Sequence, residues 1–77
     1  MGVIFSLHAE LKIEQRRIPR QYVVQTIDNP NLEKPAHDLR TELYRKFGKN
    51  YLKVVIKKEA SNIIVVTAHW VAKVKNK

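Results

Sequence analysis

Seventy-seven residues, 44% of them hydrophobic, suffice for one domain (1–77) with a small core and exclude a second. The absence of cysteine excludes a disulfide framework and a thiolate metal site, and fits a reducing, cytoplasmic setting. Fifteen Lys and Arg against seven Asp and Glu leave a net charge of +8, an electrostatic footprint for an anionic partner, with phosphate backbone the first choice.

The opening "VIFS" reads as a short strand or extended lead ending at Ser6, a good helix N-cap. From Leu7 the apolar residues Leu7, Leu11 and Ile18 follow helical spacing, with Glu10 and Glu14 near the start and Arg16 and Arg17 at the end, where they suit the helix dipole. Pro19 fits the first turn of a second helix, "PRQYVVQTIDN", whose Val23 and Ile27 share a face. "DNPN" stops that helix, and "NLEKPAHD" reads as a loop.

From Leu39 the period changes to two, with Leu39, Thr41, Leu43, Arg45 and Phe47 facing one way and Arg40, Glu42, Tyr44 and Lys46 the other. Gly48 to Asn50 connects this strand to "YLKVVIKKE", "ASN" turns the chain again, and "IIVVTAHWV", apolar on both sides, reads as a central strand. The expected fold is α+β: two N-terminal helices packed on a three- to four-stranded antiparallel sheet. No segment approaches the roughly 18 apolar residues that span a bilayer, and the basic tail "AKVKNK" is too short to anchor one. A soluble protein is expected, and nothing in the sequence supports a homo-oligomer.

Three histidines, His8, His37 and His69, stand far apart and form no spaced ligand pair, so no metal and no cofactor is expected. The two glycines make no phosphate loop, and neither Ser6 nor Ser61 sits in a nucleophile elbow. What remains is a basic, metal-free site. RNA supplies its own nucleophile, the 2′-hydroxyl, so its cleavage needs only a base, an acid and cations for the pentacoordinate phosphate. Lys53 and Lys57 share a face of their strand, and Thr67 and His69 share one on the next, so pairing of the two strands places them together. Alternation also puts His69 on the side of Ile63 and Val65, which leaves a core-facing histidine as the other outcome. His8 is either a titrating group or a polar first-turn residue. Tyr44, Tyr51 and Trp70 are candidates for base stacking, although Trp70, flanked by Ala68 and Ala72, reads as core.

The stretches "HAELKIEQRRIP", "YVVQTIDNP" and "YLKVVIKKEASNIIVVTAHW" resemble the family catalogued as domain of unknown function 4258, and through it the RelE/ParE toxin superfamily of metal-independent ribonucleases. In the family pattern a histidine and alanine open the helix, basic residues come four and eight positions later, and a glycine and isoleucine close it. Those positions are here His8, Ala9, Lys12, Arg16, Arg17 and Ile18, so lysine replaces an arginine at 12 and arginine a glycine at 17. The first change loses a planar bidentate fork for phosphate; the second adds a cation and removes a flexible helix end.

The resemblance implies a RelE-like fold and a toxin-like endoribonuclease. His8 or His69 would be its acid or base, Lys12 and Arg16 would hold the phosphate, and Lys46, Lys53, Lys57, Arg17 and Tyr44 would bind RNA. An acidic antitoxin would be its partner. The alternatives are a non-catalytic nucleic-acid-binding module and a protein-directed toxin of the ParE kind.

Overall fold

A computed structural model describes residues 2–72, which leaves most of the basic tail outside the described residues. In chain order the elements are β1 (Val3–Phe5), α1 (Leu7–Gln15), α2 (Arg20–Asp28), β2 (Leu32–Pro35), β3 (Arg40–Phe47), β4 (Asn50–Glu59) and β5 (Asn62–Val71). The strands form one sheet in the order β1-β5-β4-β3-β2. β2 to β5 make an antiparallel meander, whereas β1 runs parallel to β5, with Val3 against Ile63 and Phe5 against Val65.

Two expectations about the sheet are thereby corrected: it is five-stranded and mixed, not three- to four-stranded and antiparallel. "VIF" joins the sheet as a parallel strand because the two helices and the meander carry the chain back to its own side. "LEKP", read as loop, is β2. Four residues are too few for alternation to register in a sequence, and Pro35 is accepted because it stands on an edge strand, where a missing N–H costs nothing.

α1 begins as the sequence proposes. Ser6 is the N-cap, its Oγ accepting from the Ala9 N–H at 3.0 Å. The helix closes in a Schellman motif. Arg17 is left-handed (φ 54°), its N–H donates to the Glu14 carbonyl at 3.2 Å, and the Ile18 N–H donates to that of Ile13 at 2.8 Å. Arg17 thus holds a position that favours glycine, and Ile13 and Ile18 make the buried apolar contact that accompanies such an end.

The buried stripe of α1 is Ala9 and Ile13, not the expected Leu7 and Leu11, which are 77% and 51% exposed. Ala9 and Ile13 are also one turn apart, and the smaller pair lets α1 approach β5 closely. With Ile18 and Val23 they cover one face of the sheet, against Leu43, Leu52, Val54, Ile56, Val65 and Ala68. Tyr22 stacks on Phe47 at 4.4 Å between ring centroids, and Trp70 meets both edge-on at 6.2 Å, which makes Trp70 part of the packing beneath the helices. Among the described residues the other face of the sheet carries no helix.

Candidate nucleic-acid interface

Strand alternation decides which side chains leave the core. Because Leu52, Val54 and Ile56 are buried under the helices, Tyr51, Lys53, Val55 and Lys57 emerge on the uncovered face. The register then builds rows across that face: His69, Lys53, Tyr44 and Leu32 in one; Thr67, Val55, Glu42 and Lys34 in the next; Lys57 beside Arg40 at one end, and Tyr51 beside Lys46 at the other.

The position of His69 depends on a bulge. Val55 pairs with Thr67 and Ile56 with Val65, so Val66 is an extra residue on β5. Without it, strict alternation would send His69 to the same side as Val65. With it, Val65 and Ala68 are both buried in the core, and Thr67 and His69 pass to the uncovered face opposite Val55 and Lys53.

A second relationship brings α1 to the same place. β1 ends opposite Val65, so the outer edge of β5 beyond that point is open to other donors. The Ser6 N–H donates to the Val65 carbonyl at 3.1 Å, and the guanidinium of Arg16, from the C-cap of α1, donates through Nη1 to the Ala68 carbonyl at 2.8 Å. Arg16 therefore lies beside His69. Burial, then the positive charges of Lys53 and Arg16, hold the His69 imidazole below its ordinary pKa, with Glu42 opposing them. Lys12 and His8 lie one and two turns back from Arg16 on one stripe of α1, His8 exposed and Lys12 half-buried.

At the centre of the face Tyr44 is only 7% exposed. Its hydroxyl donates to Glu42 Oε1 at 2.9 Å, the ammonium groups of Lys34 and Lys53 lie 5.7 and 6.0 Å from its ring centroid, and Lys53 Nζ meets Glu42 Oε2 at 3.4 Å. Burial, then Glu42, push the phenol up to about 12. Tyr44, expected as a nucleic-acid contact, thus lies enclosed at the centre of the face, between Lys34 and Lys53 and bonded to Glu42.

Of the other expected binding residues, Lys57 and Lys46 are on the uncovered face, Lys57 within 3.8 Å of Glu59. Arg17 is exposed at the end of α1. Alternation puts Arg40 and Glu42 on one strand face with Tyr44 and Lys46 but assigns them no role, and Lys34 carries none either. Glu42 had a signal, a lone carboxylate two residues from both Arg40 and Tyr44 on one strand face; Lys34 had none, because its strand was read as loop.

Among the described residues no three His, Cys, Asp or Glu side chains cluster as a metal site requires, and no helix is long and apolar enough to cross a membrane. The face can offer a neutral imidazole as proton acceptor, cations on two sides of it and further cations across the strands. The sequence model of one family, described as Domain of unknown function (DUF4258), matches residues 5–70. No curated protein and no solved structure matches the chain.

Proposed function

Because the chain belongs to the DUF4258 family, and the matched segment includes His69 and the cations named on the uncovered face, we propose that it is a metal-independent endoribonuclease of the toxin type. The observation that carries this reading is the placement of His69 between Lys53 and Arg16. An imidazole kept neutral by burial and by adjacent cations accepts a proton at physiological pH, and the same cations attract the phosphodiester beside the 2′-hydroxyl that delivers it.

RNA lies across the strands, steered by Lys34, Arg40, Lys46 and Lys57. His69 takes the 2′-hydroxyl proton, the 2′-oxygen bonds to phosphorus, and the bond from phosphorus to the 5′-oxygen breaks. Arg16, Lys12 and Lys53 carry the charge of the pentacoordinate phosphate, and the departing oxygen is protonated by His8 or Lys53. The products are a 2′,3′-cyclic phosphate and a 5′-hydroxyl. An acidic antitoxin segment laid on the cationic face would block the reaction.

A specific observation supports a second reading, a binding module without catalysis: Lys53 is already paired with Glu42, and Arg16 already donates to a carbonyl. Purified protein incubated with end-labelled single-stranded RNA in excess EDTA separates the two. Cleavage to cyclic phosphates, lost in His69→Ala and reduced in Arg16→Ala, supports the ribonuclease; His8→Ala and Lys53→Met then identify the acid. RNA left intact but retarded on a gel by wild type and His69→Ala alike overturns catalysis and leaves the binding module.

A further inference from the structure

The hairpin between β2 and β3 ends in a turn, His37 to Arg40, whose backbone its sequence does not favour. The Arg40 N–H donates to the His37 carbonyl at 3.2 Å and the Ala36 N–H to the Arg40 carbonyl at 2.9 Å. Both central residues have positive φ, 60° at Asp38 and 61° at Leu39. Hairpin turns of this hand select Asn, Asp and Gly, because a larger side chain crowds the backbone in the left-handed region. Asp38 is at home there and Leu39 is not.

Leu39 is also 88% exposed, more than Leu7, Leu11, Val3 or Ile4. The fold therefore holds, at a strained position, an apolar side chain that its own core does not cover. Strain kept at an exposed turn points to use by a ligand. The surroundings narrow the ligand's chemistry: Arg40 faces Lys57 across the ladder at this end of the cationic face, and no carboxylate pairs with Arg40 among the described residues. An apolar knob beside two cations fits a ligand that offers bare apolar surface between anionic groups. Unpaired nucleobases strung on phosphates are such a ligand, whereas a double helix hides its base faces.

We propose that Leu39 is an additional nucleic-acid contact, an apolar wedge that packs against unpaired bases while Arg40 and Lys57 hold the flanking phosphates. This rests on the reading of the uncovered face as an RNA surface and makes single-stranded or looped RNA its preferred ligand.

Fluorescence anisotropy across a salt series, with a short unstructured RNA and a fully paired duplex, tests it on wild type, Leu39→Gly and Arg40→Ala. Glycine suits the turn, so Leu39→Gly should melt at or above the wild-type temperature. The expected result is about tenfold weaker binding of the single strand by Leu39→Gly, from the loss of one buried leucine contact. Duplex affinity and salt slope should be unchanged, while Arg40→Ala weakens both ligands and lowers the slope by about one. Equal single-strand affinity in Leu39→Gly and wild type overturns the wedge and leaves the RNA surface standing. Failure of wild type to bind either RNA overturns both. Unchanged single-strand affinity together with loss of binding to phosphatidylserine vesicles in Leu39→Gly overturns the wedge in favour of a membrane contact.

Discussion

His69 stands opposite Lys53 across the β4–β5 ladder because the extra residue Val66 shifts the register between them and the core residue Val65. Burial at this position, then the charges of Lys53 and Arg16, set how His69 titrates. Histidine NMR titration should find His69 below its ordinary value, raised by Lys53→Met, which removes a neighbouring positive charge, and lowered further by Glu42→Gln, which removes the opposing negative one. A depressed folded pKa means that the unfolded chain binds the proton more readily. The associated stability is therefore present above pH 6.5, the unfolded value, and is lost as pH falls through the folded one. His69→Gln should flatten that part of the profile; an unaltered urea midpoint in wild type across the same range would count against the buried pairing.

Arg17 occupies the left-handed position that ends α1, where a side chain crowds the backbone and glycine does not. Arg17→Gly should stabilise the domain by up to about 1 kcal/mol, the strain relieved less the added freedom of the unfolded chain. For a chain of this size that raises Tm by about 4 °C, readable by circular dichroism. A lower Tm would show that the arginine side chain contributes more than its backbone costs.

The Arg16 guanidinium joins α1 to the edge of β5 at the Ala68 carbonyl. Arg16→Met keeps the length of the side chain and removes the donor, so unfolding free energy should fall by about 1 kcal/mol. His69 should titrate closer to its ordinary value in the same variant, since one of the cations that depress it is gone. A variant that loses stability with no change at His69 would place the guanidinium away from the imidazole.

Tyr44 holds its proton to about 12 because its hydroxyl is buried against Glu42. A folded value raised above the unfolded 10.0 gives stability that is complete below pH 10 and is lost as pH rises toward 12. Tyr44→Phe should cost about 1 kcal/mol at neutral pH and remove this alkaline loss, as urea unfolding at a series of pH values would show.

Several parts of the site were legible in the sequence. The two-residue period placed Lys53 with Lys57 and Thr67 with His69, and the β4–β5 pairing brings Lys53 and His69 together. The Ser6 cap followed from local chemistry, since a hydroxyl before a helix acts within one turn, whereas Pro19, expected in the first turn of the second helix, stands just before it as the extended N-cap. The exposed stripe of Leu7 and Leu11 misled because leucine is equally at home as a helix former on a surface. β2 was missed because four residues carry too little pattern to distinguish a strand from a loop.

By itself the sequence determined composition, charge and the local elements whose signals repeat within a few residues: a basic, cysteine-free domain with two helices followed by long alternating strands. Only the tertiary structure decided that β1 runs parallel to β5, that Val66 is bulged, that Tyr44 is enclosed and that Arg16 lies beside His69. Each of these depends on residues far apart in the chain meeting across the sheet. A one-residue shift of register reverses which face every later side chain takes, and no local preference encodes that choice.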